Sequence, residues 1–234
     1  MKLIRTPRHI GIILDGNRRF ARRLMLKPWK GHEWGAKKVR KFFDWCKELG
    51  IKEATFYTFS LENFNRPKKE FNYLMDLFKK ECEDLLKDKR VDEDRVQINF
   101  IGRLHLFPRD VQDSMKKVQE KTKKYKRYKM NFAMAYGGRA ELVDAFKKIA
   151  EKVKKGELSP TRITEKEIEK HLYISSEPDL IIRTSGEHRT SGFLPWQSTY
   201  SELCFCEKMW PEFTKQDLLK AITSYTQRER RFGR

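Results

Sequence analysis

The stretch Arg8–Arg23, RHIGIILDGNRRFARR, decides the fold. Ile10, Ile12, Ile13 and Leu14 make a short apolar run closed by Asp15-Gly16-Asn17, the pattern of a strand covered on both faces and ended by a turn. Arg18, Arg19, Arg22 and Arg23 then open a helical stretch. A carboxylate thus stands at a strand's carboxyl end with cations just beyond, where open α/β sheets bind ligands. Two readings of Asp15 follow. It caps the helix, with the arginines as a solvated face, or it holds a metal beside a phosphate favoured by helix N–H groups and guanidinium forks.

Working outward, helical spacing runs from Trp34 to Leu49, with Val39, Phe42, Phe43 and Cys46 on one face. ATFYTF (54–59) reads as a second strand, and Pro67 opens a long helix striped by Phe71, Leu74, Met75, Phe78, Cys82, Leu85 and Leu86. Strands are expected at Arg95–Gly102 and Met130–Gly138, with a helix from Pro108 to Lys124 between them. A helix from Arg139 to near Gly156, a Thr164/Glu167 capping box, strands in PDLIIRT and ELCFC, and a last helix over Thr214–Arg230 complete the pattern. Strands alternating with helices predict an α/β fold with a mostly parallel six-stranded sheet surrounded by helices.

The chain has 234 residues and no Pro/Gly/Ser-rich linker, which predicts a single domain over 1–234. It lacks a long apolar run and a signal core, so a cytoplasmic location is expected. Cys46, Cys82, Cys204 and Cys206 are without metal-ligand spacing and read as buried small hydrophobes. With 52 Lys plus Arg against 33 acidic residues, the net charge of +19 favours a polyanion: nucleic acid, an acidic membrane or a phosphorylated substrate.

The strand ends discriminate among these. Parallel strands bring Arg18, Arg19, Arg66, Arg139, Arg183 and Arg189 to one rim, with Asp15, Glu62, Glu187 and Glu202 as the nearby carboxylates. Such repetition suits a polyphosphate. A nucleic-acid binder would instead interleave aromatics along a basic face, and it leaves the acids unexplained. The chain has neither a GxxxxGK[ST] loop nor a GxGxxG after a strand. IILDGN superficially resembles the dehalogenase-type phosphatase motif, but Ile13 stands where that motif has its nucleophilic Asp.

HIGIILDGNRRFAR, Gly31-His32, FSLENFNRP, NFAMAYGGR, DLIIRTSGEHRTSGFLPWQSTYSEL and RERRFG, in this order over nearly the whole chain, resemble the cis-prenyltransferases, the undecaprenyl diphosphate synthase family. The resemblance implies a homodimer with a hydrophobic product tunnel. It also implies Mg²⁺-dependent condensation of isopentenyl diphosphate with an allylic diphosphate primer, farnesyl or geranylgeranyl diphosphate, giving a Z-polyprenyl diphosphate that serves as a carrier-lipid precursor. Nucleic acid is then not a partner. Peripheral association with the inner face of the membrane is expected where a lipid product leaves. A scaffold subunit without catalysis would lack the DGN Asp or the ENxNRP loop, and both are present.

By the same resemblance, Asp15 binds Mg²⁺ and is catalytic, while Gly16, Asn17, Arg18, Arg19 and Phe20 hold the allylic diphosphate. Ser60, Leu61, Glu62, Asn63, Phe64 and Arg66, followed by Glu70, match the loop that joins the two substrates. Asn63 takes the family's proton-acceptor position; a neutral amide is a poor base, so it is expected to position substrate while a diphosphate or a nearby group takes the proton. His32 matches a position near the diphosphates. Arg183, Arg189, Thr190 and Ser191 match the isopentenyl diphosphate site, and Glu202 a second Mg²⁺ carboxylate from the neighbouring subunit or the nearby rim. His188 is a further metal candidate, and Arg231-Phe232-Gly233 matches an element that reaches across the dimer. Phe71, Leu74, Met75 and Phe78 are expected on the tunnel wall. The chain departs from many bacterial members at Pro28, where they carry Arg, leaving Lys27 and Lys30 as the nearest cations.

Overall fold

A computed structural model describes residues 6–228. The strands are β1 (His9–Ile13), β2 (Glu53–Ser60), β3 (Val96–Ile101), β4 (Tyr128–Tyr136), β5 (Leu180–Thr184) and β6 (Glu202–Cys206). All pair in parallel, in the order β3-β4-β2-β1-β5-β6. The helices are α1 (Asn17–Arg23), α2 (Gly31–Glu48), α3 (Lys68–Lys87), α4 (Lys89–Glu93), α5 (Arg109–Thr122), α6 (Gly138–Lys154), α7 (Glu165–Glu169) and α8 (Lys215–Gln227). The expected six-stranded parallel sheet wrapped by helices is what forms.

Parallel strands require crossovers, and the crossover helices cover both faces, so β1 is buried at every position. The larger core lies on one face, where Ile12, Phe42, Phe56, Leu74, Ile98, Val111 and Leu218 join the sheet to α2, α3, α5 and α8. A smaller one gathers Ile13, Tyr136, Ile181, Phe193 and Leu194 on the other. From β1 the chain builds outward to β2, and only later returns to place β5 on its other side. The carboxyl ends of β1 and β5 therefore flank a topological switch point, the crevice where open α/β sheets take ligands.

Some boundaries differ from the sequence reading. α2 begins at Gly31 rather than Trp34, and β4 runs from Tyr128 to Tyr136 because Gly137 and Gly138 turn directly into α6. α4 had no sequence signal of its own beyond Asp88, whose carboxylate caps it. Cys46 and Cys82 are buried as expected; Cys204 and Cys206 are only half-buried, since β6 is an edge strand. α8 ends at Gln227, and the expected extension to Arg230 and the Arg231-Phe232-Gly233 element lie outside the described residues.

Candidate active site

The site is built where β1 and β5 run side by side, Ile13 against Arg183. Beyond Ile13 the chain must turn at once into α1, and Gly16 does so at φ 102°. A Cβ there would lie 2.8 Å from the Cβ of Met209, so glycine is required twice over. The turn aims Asp15 at the buried guanidinium of Arg183, whose Nη2 donates to Asp15 Oδ2 at 2.8 Å. Gly16 N donates to Oδ1 at 2.7 Å, and Arg19 Nη2 stands 3.4 Å from it. The Asp15 carbonyl is pinned from two further elements, by Thr184 Oγ1 at 2.8 Å and Trp210 N at 2.9 Å. Asp15 thus makes no side-chain cap on α1; of its two readings, the cap is the one the geometry drops.

Arg183 also organises the loop that follows β5. Its Nη1 donates to the Arg189 carbonyl at 2.7 Å and to Ser191 Oγ at 2.8 Å. Arg189 itself is exposed and binds Glu187 at 2.5 Å, and Glu187 lies 3.4 Å from Arg19. One carboxylate thus bridges an arginine of α1 and an arginine of the loop after β5 across the crevice. Thr190 is half-buried between Arg189 and Ser191.

A second group lies under α1. Glu70, 2% exposed, accepts from Arg66 Nη1 at 2.5 Å and sits 3.4 Å from Arg18 Nη2. Arg66 Nη1 also lies 3.0 Å from His32 Nε2. A guanidinium only donates, so Nε2 accepts and the His32 proton resides on Nδ1. Burial, with Arg66 and Arg18 adding to it, pushes His32 down to about 3, which keeps the ring neutral. The position of Arg66 comes from the preceding loop: Asn63 Oδ1 accepts from Ser60 N at 3.2 Å in a reciprocal capping box. Leu61 packs toward Gly137, Glu62 is exposed, and Phe64 rests on Phe59, Phe71 and Phe107.

Asn17 joins these groups to an apolar cavity. α2 crosses so close that a Cβ at Gly31 would overlap the Asn17 carbonyl and one at Gly35 its side-chain oxygen. Asn17, His32 and Gly35 line the cavity, about 110 Å³ in volume, which continues between α2, α3 and the sheet past Leu77, Phe78, Cys82, Leu85, Phe132 and Met134. Of the four expected wall residues only Phe78 lines it. Leu74 and Met75 face the core instead, and Phe71 packs among Phe59 and Phe64. The helical stripe is wide enough that its two edges serve different neighbours. A second cavity of about 40 Å³ lies beyond, and the two share Arg40, Leu85 and Met130 in their walls.

Asn17 Oδ1, Arg18 Nε and Arg183 Nε are buried without a hydrogen-bond partner. Three unmet polar atoms, one on the Arg183 that binds Asp15, one on the Arg18 beside Glu70 and one on Asn17 between them and the cavity, suit a polar ligand. Among the described residues no three His, Cys, Asp or Glu side chains group as a metal cage. A lone, partly exposed carboxylate beside arginines suits Mg²⁺, which keeps its waters and shares oxygen ligands with a phosphate.

Two expected metal ligands are elsewhere. Glu202 pairs with Leu180 at the amino end of β6, opposite the rim, and binds Arg228 at 2.6 Å. It therefore does not join Asp15 within one chain. The edge position of β6 hid this, because the sequence gives a strand's residues without saying which end meets the ligand. His188 is exposed, stacks on Phe205 and faces Glu207 at 3.8 Å. Lys30, one of the cations near Pro28, is held by Glu33 at 3.0 Å. Glu70 was named through the resemblance, and its i,i+4 spacing from Arg66 fits the anchoring seen here; the anchoring by Trp210 had no local signal.

The family model for undecaprenyl diphosphate synthase matches residues 13–233. A tritrans,polycis-undecaprenyl-diphosphate synthase (geranylgeranyl-diphosphate specific) of Methanopyrus kandleri is 50% identical over 98% of this chain and 86% of its own length. An isoprenyl transferase of Thermus thermophilus is 47% identical over 97% of this chain and 89% of its own. The crystal structure of lavandulyl diphosphate synthase from Lavandula x intermedia, in complex with dimethylallyl diphosphate, superposes with a TM-score of 0.93 at 36% identity, covering 98% of this chain and 99% of that one. The chain that builds this crevice at the β1/β5 switch point is thus a prenyltransferase. The chain belongs to the undecaprenyl diphosphate synthase family, and its activity is cis-prenyl chain elongation.

Proposed function

We propose that the enzyme elongates an allylic diphosphate of geranylgeranyl or farnesyl length by repeated addition of isopentenyl diphosphate, with Mg²⁺ as cofactor. The observation that carries this is the Asp15–Arg183 pair, with Arg183 Nε unmet, two residues from the Asn17 that lines an apolar cavity. Geranylgeranyl diphosphate is the primer in the name of the Methanopyrus relative, and it is the one to test first.

In this reading Arg18, Arg19 and the amides after Gly16 bind the primer diphosphate, while Asn17 and Phe20 sit where its hydrocarbon enters the cavity. Arg183, Arg189, Thr190 and Ser191 bind isopentenyl diphosphate. Asp15 would hold Mg²⁺, which supplies charge neutralisation for the departing diphosphate. Guanidinium groups fixed before the reaction stabilise that developing charge without reorganising. Asn63, with Ser60, Leu61, Glu62, Phe64 and Arg66, positions the loop between the substrates. Neutral His32 with its proton on Nδ1 is a donor rather than a base, so the proton lost from isopentenyl diphosphate passes to a diphosphate oxygen. Glu202 would act only across a homodimer.

The test incubates the purified protein with Mg²⁺, labelled isopentenyl diphosphate and, separately, geranyl, farnesyl and geranylgeranyl diphosphates, then sizes the products. A ladder of extended products with one preferred primer is the expected result. No incorporation by a folded protein with any primer overturns it.

A further inference from the structure

Helix α1 ends in a left-handed residue, Met25, at φ 56°. Met25 N donates to Arg22 O and Leu26 N to Ala21 O, both at 2.9 Å. These are the paired bonds of a Schellman cap, whose left-handed position favours glycine. Here it carries a methionine 96% exposed, with exposed Leu24 and Leu26 on either side. Folding gains nothing from this choice: the backbone is strained by a Cβ, and the apolar side chain it carries is left in water.

The surroundings define what would cover it. RRLMLKPWK, residues 22–30, has four cations and no acid. Arg23 is held by Glu212 at 2.5 Å and Lys30 by Glu33 at 3.0 Å, whereas Arg22 and Lys27 form no ion pair among the described residues. Half-exposed Trp34 packs on Phe20 and carries the apolar surface from the tip toward α2, whose next residues, Gly35 and Ala36, line the cavity. Apolar side chains at a tip, with cations behind them, complement acyl chains beneath anionic headgroups. A globular partner of the same charge preference would need carboxylates set around an apolar pocket, a narrower requirement.

We propose that the turn between α1 and α2 docks the enzyme on an anionic lipid bilayer, Leu24, Met25 and Leu26 entering it and Arg22 and Lys27 meeting the headgroups. The inference rests on the proposed lipid product only for its use: a bilayer held at this turn would take up the hydrocarbon that the enzyme releases.

The test is co-sedimentation with vesicles of phosphatidylcholine alone and of phosphatidylcholine with one-third phosphatidylglycerol, at low and physiological salt. The wild type is expected to bind the anionic vesicles, more weakly as salt rises. Met25→Gly is expected to raise the melting temperature while lowering vesicle affinity about tenfold or more, the value of one buried methionine. Arg22→Gln with Lys27→Gln is expected to remove the preference for phosphatidylglycerol. Unchanged vesicle binding by Met25→Gly overturns the proposal, as does absence of binding by the wild type. A change in solution mass with Met25→Gly and none in vesicle binding overturns it too, assigning the tip to a second copy of the chain. Elongation in detergent is measured on the same preparations. Its absence, with vesicle binding still sensitive to Met25→Gly, would overturn the proposed reaction and leave the docking in place.

Discussion

Asp15 and Arg183, 168 residues apart in the chain, meet at 2.8 Å because β1 and β5 are neighbours in the sheet. The arginine is buried and the carboxylate is partly open, so the pair presents one fixed charge of each sign to whatever enters the crevice. Replacing Asp15 with Ala is expected to lower kcat about a thousandfold, the scale of losing a preorganised charge at a reacting centre. Circular dichroism should show the fold retained, since Thr184 and Trp210 bind the Asp15 main chain rather than its side chain. Near-normal turnover by the variant would remove Asp15 from the mechanism.

Glu70 holds Arg66 and Arg18 from beneath, and its loss would leave the half-buried Arg66 and the more exposed Arg18 facing each other without their shared anion. Glu70→Ala should cost about 3–5 kcal/mol in denaturant unfolding. Glu70→Gln should fold better yet show a raised KM for the primer, because the amide keeps the shape and loses the charge that positions Arg18.

Two buried histidines set the acid response. Burial lowers His9, and burial with the nearby arginines lowers His32 to about 3. In the unfolded chain each ring takes a proton near pH 6.5, so below that pH the unfolded state binds more protons, down to about pH 3 in the case of His32. Stability is then full above pH 6.5 and falls as pH drops through that window, by up to about 1.4 kcal/mol per pH unit for each ring. Urea midpoints from pH 8 to 4 check the slope, and His32→Asn should make it shallower.

The floor of the main cavity is the partition it shares with the smaller one. Arg40, which forms part of it, is tied to Glu81 at 2.7 Å and Asp84 at 3.1 Å across α2 and α3. Leu85→Ala is expected to join the two spaces and shift products to longer chains, read by chromatography of the extracted lipids. An unchanged ladder would place the limit on length elsewhere.

The strands and the arginines at their ends were legible because each is local: an apolar run, a turn, a cation at the strand end. Asp15 and Arg183 meet at one rim as that reading expected, and Ser191, named only through the family resemblance, joins them. What was not legible depends on the far side of each element. Glu202 opens a real strand, and its register with β5 puts it at the amino end, away from Asp15 within one chain. Leu74 and Phe78 share one helical stripe, but only the sheet behind them decides that one is core and the other wall. The clamp on the Asp15 carbonyl comes from Trp210, whose position depends on the whole fold closing.

The cavity is far smaller than a long prenyl chain, and its sides are unequal. One is a hydrogen-bonded sheet; the other is two helices joined by the Arg40 ion pairs. On the proposed reaction, a hydrocarbon growing into the cavity would part α3 from α2, doing mechanical work against packing with every added unit. Termination then becomes a contest of rates: synthesis stops when ejecting the chain is faster than stretching its container once more. Product length should accordingly spread and drift with temperature and salt, as a spring balance does and a measuring rod does not.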